Sequence, residues 1–217
     1  MKAYDIAIFD LDGTLLDTSE GVLSSVKYVI KEMGLPMPSE ETLRTFIGPP
    51  VSESLTTVFG LSHEDVQYGT ELFRNHYKNT DLLKAIPYEG IYEVFENLLN
   101  MGITPAVATY KRQDYTTRLL QHFNFHQYTN ILYGSDFDGK LKKKDIIVKC
   151  MKKCGIDNYQ RAVMIGDTIY DAAGAKELSI DFIGVTYGFG FKTDTEIFSY
   201  NAVGSVDAPV QLLKYFR

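Results

Sequence analysis

Tryptophan is absent from the 217-residue sequence, and only two cysteines and four histidines occur in it. A structural zinc site usually needs four Cys or His ligands gathered at short spacings, and the sequence contains no such cluster. Cys150 and Cys154 are one helical turn apart in a predicted helix, and we interpret them as two reduced thiols rather than as metal ligands. A metal site built on soft ligands is therefore not expected.

Basic residues are fewer than acidic ones. The chain has 22 Lys and Arg residues and 28 Asp and Glu residues, which gives a formal net charge of -6. A nucleic-acid-binding domain normally shows the opposite balance. No apolar run approaches the roughly 18 residues of a membrane-spanning helix, and residues 1–5 carry no signal-peptide core. We therefore expect a cytoplasmic protein, monomer or homodimer, that binds neither nucleic acid nor membranes.

Apolar residues make up 45% of the chain, and they form alternating strand and helix patterns. Short runs rich in β-branched residues predict strands at 6–9, 103–108, 131–133, 162–165 and 182–185. Between and after them, helical patterns lie at 91–99, 112–123, 144–154, 170–178 and 208–216. This alternation predicts an α/β fold, a Rossmann-like parallel sheet flanked by helices.

One long interruption separates the first strand from the rest of this pattern. Residues 17–83 contain several helical patterns and no convincing strand, and Pro87 and Gly90 mark the return to alternation. We interpret this block as a small all-helical domain inserted after the first strand. The predicted domains are thus a core, 1–16 with 84–217, and a helical insertion, 17–83.

Polar residues follow several strands, where a parallel sheet brings them to one edge. Asp10 and Asp12 follow the first strand, Thr109 follows the second, and Asp167 and Asp171 follow the fourth. We expect the last two on the same face of a helix. Each residue alone is more simply a helix cap or turn former, but their joint occurrence favours a site. Clustered carboxylates need a cation between them, and oxygen ligands favour Mg2+.

The stretch Asp10-Leu11-Asp12-Gly13-Thr14 resembles the first motif of haloacid-dehalogenase-type phosphatases, and the later strand-end residues resemble the family's other motifs. The resemblance covers nearly the whole chain and is to the phosphoglycolate-phosphatase-like branch. It implies that the helical insertion is a cap domain. It also implies that Asp10 is a nucleophile forming an aspartyl phosphate, and that Asp12 protonates the leaving group and later activates water. Asp10, the Asp12 carbonyl and Asp167 would hold Mg2+, supported by Asp171.

The same resemblance implies two further groups that bind the transferring phosphoryl group. Thr109 and the backbone of Tyr110 match the second motif. Family members often carry a small or amide residue at the second position, so the Tyr110 ring is expected to narrow the entrance or contact the leaving group. A lysine of the third motif offsets phosphoryl charge. Counting back along the predicted helix from Asp167 assigns this role to Lys143, whereas counting forward through the loop from Gly139 assigns it to Lys144. We predict Lys143.

The implied activity is Mg2+-dependent hydrolysis of a small phosphorylated metabolite, either phosphoglycolate-like or a nucleotide or sugar phosphate. Two alternatives stay open. A sugar phosphomutase would return the phosphoryl group to substrate instead of passing it to water. A phospho-receiver signalling module also gathers acidic residues, a Thr and a Lys around an aspartate on a parallel sheet, although a helical insertion after the first strand suits an enzyme's lid better.

Overall fold

The structure, a computed structural model, describes residues 4–137 and 139–216. Eight strands lie in the described residues. They are β1 (Ile6–Phe9), β2 (Leu16–Asp17), β3 (Ile86–Pro87), β4 (Thr104–Arg112), β5 (Leu132–Ser135), β6 (Ala162–Gly166), β7 (Asp181–Val185) and β8 (Gly204–Val206). Six of them form a sheet in the order β5-β4-β1-β6-β7-β8, in which each strand is parallel to its neighbours. Strands β2 and β3 form a separate two-stranded sheet. The predicted α/β class is confirmed.

Strand β1 lies at the centre of the sheet because its four residues are all apolar and can be buried on both faces. Alternate residues point to opposite faces. Ile6 and Ile8 join the core beneath helices α7 (Lys143–Cys154) and α8 (Ile169–Leu178). Phe9 points to the other face, where its ring packs on Phe95 at 4.9 Å between centroids.

The remaining helices of this part of the chain are α5 (Ile91–Asn100), α6 (Gln113–His122) and α9 (Asp194–Phe198), with 3-10 helices at Phe125–Gln127, Tyr159–Arg161 and Pro209–Tyr215. The predicted α-helix over 208–216 is therefore wrong in type. Helix α9 and strand β8 were not predicted, because five and three residues are too few to show a hydrophobic period.

Strand β4 is longer than the apolar run at 103–108 that predicted it, since it continues to Arg112. Its pairing with β5 shifts register between Ala108 and Arg112, and polar residues occupy this extension. The irregular stretch carries Thr109, Tyr110 and Lys111 past the end of the apolar core, and helix α6 begins directly after it at Gln113.

The chain divides into two units, here called the sheet unit, 1–17 with 87–217, and the helical unit, 18–86. The insertion therefore begins one residue later than the predicted range 17–83, and it ends three residues later. The helical unit consists of α1 (Ser19–Glu32), α2 (Glu40–Arg44), α3 (Val51–Phe59), α4 (His63–His76) and a π-helical turn at Tyr77–Asp81. No helix among the described residues is both long and apolar enough to cross a membrane.

The π-helical turn ends at Asp81, which is fully buried within the helical unit. Ser25 Oγ donates to the Asp81 carboxylate at 2.8 Å, and Lys84 Nζ lies 2.9 Å from its other oxygen. Gly21 is required nearby, because a Cβ there would overlap the Asp81 carbonyl oxygen. These contacts join the two ends of the inserted segment.

Candidate active site

The candidate site lies at the carboxyl ends of the three central strands. Phe9 of β1 pairs with Val107 of β4 on one side and with Ile165 of β6 on the other. The residues that follow these strands therefore meet at one edge of the sheet, as predicted for parallel strands. The Asp10 N-H donates to the Ile165 carbonyl at 2.9 Å, which continues the strand geometry into the site.

Three carboxylates converge here, those of Asp10, Asp167 and Asp171, with one oxygen of each within 4.8 Å of the others. All three side chains are buried, Asp167 and Asp171 completely. Burial and the neighbouring carboxylates raise the pKa of Asp10, which Lys143 partly opposes. Such a group of hard oxygen ligands can hold a metal ion.

Asp167 is oriented by backbone donors from a glycine-rich loop, Tyr187-Gly188-Phe189-Gly190, here called the glycine loop. The N-H groups of Phe189 and Gly190 donate to Asp167 Oδ2 at 2.8 and 3.1 Å. Burial and then the Asp171 and Asp10 charges raise the pKa of Asp167 to about 8, although these two donors oppose the rise. Gly188 lies so close to Asp167 and to the Gly13 carbonyl that a Cβ would overlap both.

Asp171 reaches the cluster from the first turn of α8. Its Oδ2 accepts hydrogen bonds from Thr168 N at 3.0 Å and Thr168 Oγ1 at 2.7 Å, so it caps the helix N-terminus. The prediction that Asp167 and Asp171 share a helix face is wrong, because the helix begins at Ile169 and Asp167 belongs to the preceding loop. The two carboxylates nevertheless meet, with one oxygen of each within 4.8 Å.

Lys143, at the start of α7, is the lysine that reaches the carboxylates. Its Nζ lies 2.6 Å from Asp10 Oδ1 and 2.6 Å from Asp171 Oδ1, and the residue is only 3% exposed. Burial opposes the charge on this ammonium, but the two carboxylates raise the pKa of Lys143 above its usual value. Lys144 instead pairs with Glu177 at 2.6 Å on the surface of α8.

Thr109 and Tyr110 lie at the site in different ways. Thr109 is buried, and its Oγ1 accepts a hydrogen bond from Lys111 N at 3.2 Å. The Tyr110 hydroxyl accepts from the Lys143 backbone N-H at 3.0 Å, and the Tyr110 ring packs edge-on against Tyr170. The Tyr110 side chain therefore supports the helix that carries Lys143, a contact that the sequence interpretation had not included.

Asp12 is not one of the three clustered carboxylates and pairs with a second lysine, whose side chain is largely buried. Lys111 Nζ lies 3.1 Å from Asp12 Oδ2, and the Lys111 side chain is 8% exposed. Sequence reasoning missed Lys111; the available signal was its position two residues after the predicted strand-end residue Thr109. The next residue, Gly13, has a φ of +79°, and an added Cβ would overlap the Asp167 carboxylate.

The charges of these groups fit a divalent cation. Four carboxylates, those of Asp10, Asp12, Asp167 and Asp171, face two ammonium groups, those of Lys111 and Lys143. When all four carboxylates are ionised, the cluster has a surplus of two negative charges among its oxygen ligands, and a divalent metal ion stabilises that ionised form.

Comparison with known proteins agrees with this geometry. The model of the haloacid dehalogenase-like hydrolase family matches residues 7–185. The chain belongs to this family. Among curated relatives, a protein from Pseudomonas aeruginosa named 5'-nucleotidase is 32% identical over 187 residues, 86% of this chain and 85% of the relative. A phosphoglycolate phosphatase of Agrobacterium fabrum is 32% identical over 190 residues, 85% of this chain and 81% of the relative.

A solved structure of a predicted phosphatase from Clostridium acetobutylicum superimposes with a TM-score of 0.89 at 33% identity, covering 98% of each chain. These relatives confirm the family resemblance and support the assignment of the chain to the phosphoric monoester hydrolases.

Proposed function

We propose that this family member is a Mg2+-dependent phosphatase that hydrolyses a small phosphomonoester through an aspartyl-phosphate intermediate. The contact of Lys143 Nζ with the Asp10 carboxylate, beside two further buried carboxylates, carries the proposal. A carboxylate that could act as nucleophile, a cation that could stabilise the phosphoryl oxygens and oxygen ligands for a metal ion therefore lie within a few ångströms of one another. Asp10, Asp167 and the Asp12 carbonyl would hold Mg2+, which would neutralise charge on the phosphoryl oxygens, and Asp171 would support them.

In the first step, a carboxylate oxygen of Asp10 bonds to phosphorus and the bond from phosphorus to the ester oxygen breaks. The departing oxygen keeps the bonding electron pair and takes a proton from the Asp12 carboxyl group. Thr109 Oγ1, the Tyr110 N-H and Lys143 would stabilise the phosphoryl oxygens during this transfer. The products are a free alcohol and phosphorylated Asp10.

In the second step, water attacks the phosphorus of the aspartyl phosphate. The Asp12 carboxylate takes one proton from that water, the bond between phosphorus and the Asp10 oxygen breaks, and inorganic phosphate is released. Asp10 is again a carboxylate and Asp12 is again protonated, so the cycle closes without another reactant.

We propose further that the helical unit is the family's cap domain and selects the leaving group. The insertion of this unit between β1 and β4 supports the assignment. The relatives named above act, by their names, on nucleotides and on phosphoglycolate. We therefore propose a small phosphorylated metabolite of this kind as the substrate.

Phosphate release from an aryl phosphate and from a panel of metabolite phosphates tests this proposal. We expect activity that chelation abolishes and Mg2+ restores, and a loss of about 10^4-fold or more in Asp10→Asn. Acid-quenched enzyme should carry a hydroxylamine-sensitive phosphoryl group that is missing from Asp10→Asn. Full activity in that variant would overturn the mechanism, and isomerisation of a sugar phosphate without phosphate release would indicate a mutase.

A further inference from the structure

Lys111 has a largely buried side chain, and the proposed mechanism gives its ammonium group no role. Its side chain is 8% exposed, and that of its partner Asp12 is 15% exposed. Burying a flexible lysine is costly unless its charge is compensated, and the contact of 3.1 Å between Lys111 Nζ and Asp12 Oδ2 compensates it. The pair therefore holds both side chains in place.

The backbone of Lys111 is also fixed on both sides. Its N-H donates to Thr109 Oγ1 at 3.2 Å, and its carbonyl accepts from Thr116 Oγ1 at 3.1 Å. Gly134 leaves space for this arrangement, since a Cβ at that position would overlap the Lys111 carbonyl oxygen. A residue anchored in this way presents its ammonium group from a rigid base.

Lys111 and Lys143, the two lysines of the site, contact different carboxylates. Lys143 contacts Asp10 and Asp171, whereas Lys111 contacts Asp12. Lys143 thus lies with the group proposed to receive the phosphoryl group, and Lys111 lies with the group proposed to move the proton. The removal of either lysine should therefore affect a different part of the reaction.

We propose that Lys111 is a positioning residue that holds the Asp12 carboxyl group in the orientation needed for proton transfer to the leaving oxygen. This inference rests on the proposed function, in which Asp12 protonates that oxygen. An alkyl leaving group needs the proton, whereas a nitrophenolate leaves readily without it. The role of Lys111 should therefore be visible in the dependence of rate on the leaving group.

The test compares kcat/KM for an alkyl phosphate and for p-nitrophenyl phosphate in wild type, Lys111→Met, Lys111→Arg and Asp12→Asn. In Lys111→Met we expect a fall of about 10^2-fold with the alkyl ester and less than about threefold with the aryl ester. Lys111→Arg, which retains the charge, should recover most of the loss. In the Asp12→Asn background, Lys111→Met should add little, because Lys111 acts through Asp12.

Equal losses with both esters would overturn the inference, since Lys111 would then act on the phosphoryl group itself. A raised KM with unchanged kcat would also overturn it, by making Lys111 a substrate-binding cation. If Asp12→Asn shows no leaving-group dependence, the acid role of Asp12 in the proposed function is wrong. If Asp12→Asn shows it and a folded Lys111→Met does not, only the role of Lys111 is wrong.

Discussion

At the scale of single residues, the site depends on how the charges of two lysines are neutralised. Lys143 lies between Asp10 and Asp171, and Lys111 lies beside Asp12. A buried ion pair contributes little net stability, but the loss of one partner leaves an uncompensated charge. Under the proposed function, we therefore expect these lysines to serve the chemistry of the site more than the stability of the fold.

The first prediction separates Lys143 from its neighbour. Lys143→Met should lower kcat by about 10^2-fold or more, because it removes the cation beside Asp10. Lys144→Met removes a surface pair with Glu177 and should change kcat less than about twofold. Steady-state kinetics with one aryl phosphate measures both, and comparable losses in the two variants would contradict the structural distinction.

The choice between these lysines illustrates what the sequence could and could not predict. The order of strand ends predicted the positions of Asp10, Asp167 and Thr109, because parallel strands bring such residues to one edge. The loop before α7 has no fixed length, so counting from it pointed to Lys144. Helix α7 begins at Lys143, one residue earlier than the predicted range 144–154, and the Lys143 N-H donates to the Tyr110 hydroxyl.

At the scale of elements, the glycine loop, residues 187–190, orients one carboxylate of the cluster, that of Asp167. It supplies two N-H donors to Asp167 Oδ2 and packs on Gly13. In the sequence this segment is a glycine-rich stretch directly after the last core strand, and no side chain in it indicates a contact with Asp167. Backbone donors leave no side-chain signature, so their target was not predictable before the fold was known.

The second prediction concerns this loop. Gly188→Ala places a Cβ against the Asp167 carboxylate and the Gly13 carbonyl, so the loop must move and Asp167 loses its backbone donors. Metal affinity should fall by about 10- to 100-fold, the usual effect of losing partners that orient a ligand. A titration of activity with Mg2+ measures this change.

Gly60→Ala is the matched control for that variant. Gly60 has a φ of +63° but open space around its Cβ position, so the substitution strains the backbone of the helical unit alone. It should lower the melting temperature without changing the concentration of Mg2+ that gives half-maximal activity. An equal change of Mg2+ dependence in both variants would show that general destabilisation explains the effect of Gly188→Ala.

At the scale of the whole molecule, the carboxylate cluster links metal binding, pH and stability. The pKa of Asp167 is raised to about 8, so the folded metal-free protein binds a proton between about pH 4 and 8 that the unfolded chain releases. Stability of the metal-free protein therefore falls as pH rises through this window. A metal ion must displace that proton, so its affinity rises over the same window.

The third prediction follows from this linkage. The gain in melting temperature on adding excess Mg2+ should be clearly larger at pH 8.5 than at pH 6. At pH 6 the ion must displace the proton held by Asp167, whereas at pH 8.5 most of that proton is already lost. Thermal unfolding at the two pH values, with and without Mg2+, measures it. In Asp167→Asn the gain should be small and nearly independent of pH, and an equal gain at both pH values in wild type would contradict the linkage.

The central position of β1 has a consequence for synthesis of the chain. Its two sheet partners begin only at Thr104 and Ala162, because the helical unit and several further elements come between. At about 5–20 residues per second, a ribosome exposes this apolar strand for several seconds before either partner exists. An unpaired apolar strand is prone to aggregation. We therefore expect residues 6–9 of the nascent chain to be open to a chaperone until β4 is available to cover them.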